Sequence, residues 1–192
     1  MKSVMISIQP KWCKLIANGK KTVEVRKTKP KLDTPFKCYI YCTKPNASNP
    51  HEILKKYSES GRIHKVNGQV FGEFVCYKVT NLFSDNMFWL CKDEILQSCL
   101  TADEIRKYAA SANNLYGWHI SDLVIYDKPR ELSDFATFCK GTGSETDKIC
   151  KNCRYLCFDG DPINGYTRFC GANKRKTLTR PPQSWCYVEE LR

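Results

Sequence analysis

The run Gly19-Lys20-Lys21-Thr22-Val23-Glu24-Val25-Arg26 sets an ammonium, a carboxylate and a guanidinium close together in the chain. On an extended backbone, Thr22, Glu24 and Arg26 share one face, while Val23 and Val25 point into a core. Glu24 and Arg26 then stand one strand repeat apart, where they can pair or flank a ligand together. A carboxylate among so many cations stays ionised and can accept a proton or a base-edge hydrogen bond. Lys21 can contact a phosphate, or act as a base if burial lowers its pKa. The plain alternative is a solvated salt bridge on a strand.

The second constellation is made of sulfur. Of the 12 cysteines, Cys13, Cys38, Cys42, Cys76, Cys91, Cys99 and Cys186 are scattered among apolar neighbours, as small buried hydrophobes would be. Cys139, Cys150, Cys153, Cys157 and Cys170 instead crowd into one polar segment. Cys150-Lys151-Asn152-Cys153 is a C-x₂-C knuckle, a spacing at which two thiolates grip one tetrahedral ion. Cys170 is one further ligand, and Cys139 the other. Cys157 is the alternate to Cys139, since it sits close enough to Cys153 to crowd the knuckle. Four sulfurs leave no open position, so the spacing predicts a structural Zn²⁺ whose binding would fold a segment with little core of its own. An Fe–S cluster and a redox C-x₂-C are the lesser readings, the latter lacking a βαβ setting. Lys174, Arg175 and Lys176 follow at once and would extend a nucleic-acid groove, or form a solvated loop.

Charge agrees with a polyanionic partner. The formal net charge is +11 at pH 7, and residues 1–37 hold most of one basic cluster, opposed there only by Glu24 and Asp33. A second cluster runs from Arg168 to Arg180 without an acid. Concentrated positive charge raises the local density of polyanions and supplies the phosphate-neutralising part of nucleic-acid affinity. Lysines that only keep a small protein soluble are the competing explanation. With 42% hydrophobic and 27% charged residues the chain is globular rather than disordered. Its apolar runs fall far short of the ~20 residues of a bilayer span. The start lacks the apolar core and cleavage site of a secretory signal, so the expected setting is cytoplasmic and a disulfide framework is disfavoured.

The elements that must position these groups follow from periodicity. Val4, Ile6 and Ile8 mark a strand over 3–9, Pro10 opens a helix through Trp12, Leu15 and Ile16, and Asn18-Gly19 stops it. Strands are predicted at 22–26 and 36–43, a short helix over 51–60, and a hairpin about Asn67-Gly68 pairing 62–66 with 69–79. Thr101-Ala102-Asp103-Glu104 reads as a capping box opening a helix to about Ala110. Trp118–Tyr126 is a strand stopped by Asp127-Lys128-Pro129, and 184–191 is the last strand. Strands without βαβ alternation predict an α+β fold, a small mixed β-barrel with two or three peripheral helices. Residues 136–178 show no convincing period and read as an irregular, metal-stapled insert.

The pattern G-x-K-x-x-E-x-R after a strand and short helix resembles the signature of the ASCH domain, a relative of the PUA RNA-binding fold. The resemblance extends to Ser7-Ile8-Gln9-Pro10-Lys11-Trp12, Gly72-Glu73-Phe74, Tyr116-Gly117-Trp118-His119-Ile120-Ser121-Asp122-Leu123 and Arg180-Pro181-Pro182-Gln183-Ser184-Trp185-Cys186-Tyr187-Val188. It covers residues 1–135 and 179–191 and looks like bacterial and prophage members. It implies a PUA-like barrel over 1–135 plus 179–192, interrupted by the cysteine-rich insert 136–178, with a motif-lined cleft for RNA or a nucleotide-like ligand. Insert-bearing relatives present an early Cys, a C-x₂-C and a late Cys, in line with Cys139, Cys150, Cys153 and Cys170. Some small members hydrolyse acetylated cytidine with a motif Lys, a Thr three residues later and a Glu further along. Lys21 matches the first, but Glu24 stands where the Thr would be, so that machinery is not carried over intact. Others are described as ribonucleases, which a Lys/Glu/Arg set could serve by stabilising a phosphorane and moving a proton.

The expectation is an RNA- or nucleotide-binding domain in which Gly19, Lys20, Lys21, Glu24, Arg26, Lys27, His119, Lys174, Arg175 and Lys176 meet the ligand. A hydrolase using Lys21 and Glu24 is the first alternative, and an adaptor docking a protein through the zinc insert the second. His119 alternates away from Trp118 and Ile120, either toward the cleft or into a structural hydrogen bond.

Overall fold

A computed structural model of the chain describes residues 2–45, 54–57, 60–82, 92–110, 112, 114–138, 156–161, 165–170 and 175–191. Strand β1 (Lys2–Ile8) alternates as its sequence demands, Val4, Ile6 and Ile8 entering one core and Met5 another. Pro10 is the first residue of α1 (Pro10–Ala17), where its missing N–H costs nothing. Asn18 caps the helix, and Gly19, at φ +73°, turns the chain back in a conformation that glycine adopts without a Cβ clash. There follow β2 (Val23–Arg26), β3 (Phe36–Cys42), the short pair β4 (Lys55–Tyr57) and β5 (Ile63–Lys65), and β6 (Val70–Asn81). Helices α2 (Lys92–Ser98) and α3 (Ala102–Ala109) precede the long β7 (Tyr116–Arg130). A 3₁₀ turn at Leu132–Asp134 leads to β8 (Ala136–Phe138), β9 (Leu156–Asp161), β10 (Gly165–Cys170), β11 (Arg175–Thr177) and β12 (Trp185–Glu189).

Six strands form one mixed sheet in the order β12-β1-β3-β6-β7-β2, in which only β1 and β3 run parallel. Both faces of its centre are buried. Val4, Ile6, Ile8, Phe36, Cys38 and Ile40 pack with Cys13 and Ile16 of α1 on one side. Met5, Tyr39 and Tyr41 pack with Phe135, Leu178 and Val188 on the other. A third cluster joins Val25 of β2 to Ile105 of α3, with Leu82 and Leu115. Among the described residues the architecture is α+β, mostly sheet with three short α-helices, and no helix there is long and apolar enough to cross a membrane.

Several expectations are corrected. The sheet is open rather than a closed barrel, with β12 and β2 as its edges. Four residues of β2, followed by the Pro30 segment, give too short an edge for a ladder. The ends are joined instead by Arg26, which bonds Ser7 O and Ser184, and by Thr28 and Lys31, which bond Trp185 and Tyr187. Residues 62–66 do not form a hairpin with β6, because β5 pairs with β4 and β6 with β3. A two-residue type I′ turn needs positive φ at both centres, and here Gly68 has it (+84°) while Asn67 does not. The Asn67 side chain instead accepts Leu54 N–H and donates to Thr43 O, steering the chain back against β3. The helix predicted over 51–60 is replaced by strand at Lys55–Tyr57, while residues 51–53 and 58–59 lie outside the described set. Pro129 does not stop β7, because the pairing to β6 jumps from Gly72↔Ile125 to Val70↔Arg130 and the irregularity leaves Pro129 no ladder bond to supply. Helix α2 was not foreseen, its seven residues being too few for a clear period. The segment 136–178 is not wholly irregular: β8 pairs with β11, and β9 with β10.

Candidate functional site

The helix-to-strand corner fixes Lys21 before its side chain does anything. Gly19, Lys20 and Lys21 donate their N–H groups to the carbonyls of Ile16, Leu15 and Leu15, closing the end of α1. Thr22 N–H bonds Gln97 O of α2, and Thr22 O accepts Ile120 N–H of β7. β2 then runs antiparallel to β7, Glu24 opposite Trp118 and Arg26 opposite Tyr116. Val23 and Val25 are buried as expected, but so are Glu24 and Arg26 on the other face, at 6% and 7% exposure, and Lys21 at 2%. The salt bridge is therefore not the solvated one the sequence also allowed.

Glu24 is the centre of this group. Its Oε2 lies 3.3 Å from Lys21 Nζ and its Oε1 2.9 Å from Arg26 Nη2. Lys21 Nζ also donates to Ser98 O of α2 at 2.6 Å and stands 5.2 Å from the Trp12 ring. Arg26 Nη2 donates to Ser7 O of β1 at 2.7 Å, and Nη1 reaches Ser184 Oγ, just before β12, at 3.3 Å. Arg26 Nε has no protein partner. Two cations share one carboxylate, so the cluster carries an excess positive charge in a buried place, where the low dielectric makes it attractive to an anion.

Above the cluster opens a cleft of about 530 Å³. Lys21, Glu24 and Arg26 form its floor, with Ser7, Ser184 and Gln183 at one end. Trp12 and Tyr108 supply aromatic walls, and Lys11, Lys44, Lys107 and Glu104 stand among the lining. Five cationic side chains face two carboxylates around this space. Lys11 is tied to Glu104 at 3.3 Å and lies 4.1 Å from the Trp12 ring. The α3 residues arrive through the capping box, in which Thr101 Oγ1 accepts Glu104 N–H and Glu104 accepts Thr101 N–H.

The expected ligand residues thus divide. Lys21, Glu24 and Arg26 come together. Gly19 shapes the corner, Lys20 is exposed beside it, and Lys27 is exposed with Nζ 5.3 Å from the Tyr108 ring. His119 does not line the cleft. Its Nε2 lies 3.1 Å from Thr80 Oγ1 and 3.2 Å from Glu94 Oε1, with the Tyr77 ring edge-on, which is the structural role. Lys176 is exposed on β11, and Arg175 begins that strand. Cys170 ends β10, while Cys139, Cys150, Cys153 and Lys174 lie outside the described residues, as do Cys91 and His51. Among the described residues no three His, Cys, Asp or Glu side chains gather as metal ligands.

Sequence reasoning did not single out Ser98, Lys44, Lys107 or Tyr108 as site residues. Nothing local marks them, since each belongs to the site only through tertiary packing. Ser7, Trp12, Gln183 and Ser184 fell inside motif stretches, which was the available signal. Burial holds the Cys13 and Cys38 thiols well above the usual range and pushes Cys76 up to about 12, which disfavours the thiolate at all three.

The family model for the ASCH domain matches residues 6–154. The crystal structure of ASCH from Zymomonas mobilis is similar at a TM-score of 0.54 and 18% identity, over 98% of this chain and 88% of that one. Two mutants of the Zymomonas mobilis protein, a Tyr-to-Phe and a Ser-to-Ala form, each match at 0.49 and 21% identity. The Tyr-to-Phe match covers 69% of this chain and 77% of that one, and the Ser-to-Ala match 68% and 74%. At 18% identity the likeness to the first of these speaks for the fold alone. No curated protein matches this chain.

Two outcomes follow from the geometry. Glu24→Ala leaves two buried cations without their anion and is expected to cost about 3–5 kcal/mol in urea unfolding; a loss below about 1 kcal/mol would mean the cluster is solvated. Burial lowers the His119 pKa below its usual 6.5, with Lys78 pushing the same way and Glu94 opposing. The unfolded chain therefore binds the proton first, so the stability His119 contributes is present above pH 6.5 and is lost as pH falls below it. His119→Asn should flatten that part of the stability–pH curve; an unchanged slope would assign it to other groups.

Proposed function

Because the chain belongs to the ASCH domain family, whose model spans residues 6–154, we propose that it binds RNA in the cleft above Lys21, Glu24 and Arg26. The observation that carries this reading is the buried excess cation at the floor of a 530 Å³ space with aromatic walls. Phosphate oxygens are drawn by Lys11, Lys44 and Lys107 at the lining and by the excess charge beneath. A base has Trp12 and Tyr108 for stacking, which costs nothing in sequence preference because every base has a π-face. Donors and acceptors on Ser7, Gln9 and Gln183 can meet its polar edge.

Binding is favoured over hydrolysis by how Lys21 and Glu24 are used. The Lys21 ammonium already donates to Ser98 O and faces Glu24, and both Glu24 oxygens face cations. Groups committed to one another in this way hold charge in place. They are poor candidates for moving a proton to and from a substrate.

The test is the affinity of short single-stranded and hairpin RNAs at two salt concentrations, with mass spectrometry of the RNA afterwards. Lys44→Ala/Lys107→Ala changes exposed side chains only; it should weaken binding and lower the salt slope by about 1.4, at about 0.7 per single-strand phosphate contact. Lys21→Ala/Glu24→Ala should weaken binding further. Altered RNA that depends on Lys21 would favour the hydrolase instead, and no binding at either salt would end the RNA reading.

A structural zinc held by Cys139, Cys150, Cys153 and Cys170 is a separate proposal that rests on their spacing in the sequence. Metal analysis should find one zinc per chain, absent from Cys150→Ser/Cys153→Ser. A wild-type protein purified without metal and normally folded would refute it.

A further inference from the structure

Directly after Arg26 the chain reads Lys27-Thr28-Lys29-Pro30-Lys31, three lysines with no acid among them. The backbone of this segment is fastened down. Pro30 is buried, and Leu32 packs against the core under α1. Thr28 Oγ1 accepts the Trp185 indole N–H at 2.9 Å, and Lys31 N–H donates to the Tyr187 hydroxyl at 2.7 Å. The lysine side chains themselves are exposed.

Two of the three cations stand over an aromatic ring, and the third is tied to one through its backbone. Lys27 Nζ lies 5.3 Å from the Tyr108 ring and Lys29 Nζ 5.6 Å from that of Tyr116. Trp185 and Tyr187, 5.4 Å apart, hold residues 28 and 31, and Lys2 Nζ sits 6.0 Å from the Tyr187 ring. The segment also begins at the cleft. Tyr108 is a wall of the cleft, and Arg26 on its floor bonds Ser184, the neighbour of Trp185.

We propose that residues 27–31 form a track for the nucleotides that flank the one in the cleft, so that the partner is a single-stranded RNA several nucleotides long. Lys27, Lys29 and Lys31 take successive phosphates, and the rings beside them take unstacked bases. Alternating cations and aromatic faces are what a single strand requires. A duplex keeps its bases stacked inside and offers those rings nothing. Because the backbone is already fixed by Trp185 and Tyr187, binding pays little to order it. The proposal rests on the RNA reading of the cleft.

Fluorescence anisotropy with a labelled uridine dinucleotide and octanucleotide, at two salt concentrations, separates the two sites. Wild type should bind the octanucleotide more tightly. Lys29→Ala/Lys31→Ala should lose several-fold on the octanucleotide and lower its salt slope by about 1.4, from two contacts at about 0.7 each. The dinucleotide should bind both proteins alike. The substituted side chains are exposed and the bond from Lys31 to Tyr187 is made by its backbone, so the variant keeps the fold. Equal affinity and slope of variant and wild type for the octanucleotide would overturn the track, as would a wild type that gains nothing from the longer strand. Failure of wild type to bind either length would overturn the track together with the cleft reading.

Discussion

Glu24 between Lys21 and Arg26 is the constraint on which the rest of this structure depends. Isolated in a buried place, any one of these charges would be costly. Together, with Ser98 O and Ser7 O as further acceptors, they satisfy one another, Arg26 Nε alone of the guanidinium nitrogens finding no protein partner. The elements that supply those partners have no choice of position. Arg26 pulls β2 toward β1 and Ser184, and Thr28 and Lys31 just after it bond Trp185 and Tyr187 of β12, so that a sheet open in its ladder is tied between its two ends. Lys21 fixes the end of α2 against the corner after α1, and Thr22 N–H to Gln97 O repeats that tie on the backbone. A buried ion cluster is an expensive way to join two edges when apolar residues of similar volume often do as well or better. Its presence at the floor of a cleft is best understood through what the cleft must attract.

The same arrangement explains how a small fold offers a built site. The sheet centre is covered on both faces, by α1 on one side and by Phe135, Leu178 and Val188 on the other. Rigid elements therefore carry the floor. The walls come from α1 and α3, whose capping box sets Glu104 beside Lys11 and presents Lys107 and Tyr108 across from Trp12. On the proposed reading, phosphate-directed charge would give reach and salt dependence, and the polar groups near Ser7 and Gln183 would give selectivity among bases.

Local physics made much of this legible. The strand at Val4–Ile8, the Pro10 start and Gly19 stop of α1, the alternating Val23 and Val25, and the Thr101 capping box all act within a few residues, and each formed as read. The charged trio was visible for the same reason, since one strand repeat suffices to bring Glu24 and Arg26 together. Its burial was not visible, because that depends on Ser98 and Ser184, distant in sequence. The Asn67-Gly68 turn misled because the side chain of Asn67 bonds Leu54 and Thr43, so a turn signal was spent on a different strand pair. Pro129 was read as a stop, yet a pairing irregularity absorbed it. His119 pointed away from Trp118 as alternation required, but toward Glu94 on a helix too short to foresee.

The central claim is that RNA enters the cleft over the buried cluster, and photo-crosslinking measures this most directly. An RNA carrying 4-thiouridine, irradiated with the wild-type protein and mapped by peptide mass spectrometry, should join to Trp12 or Tyr108. Crosslinks confined to surfaces away from the cleft, such as the exposed Val124 region of β7, would contradict the account.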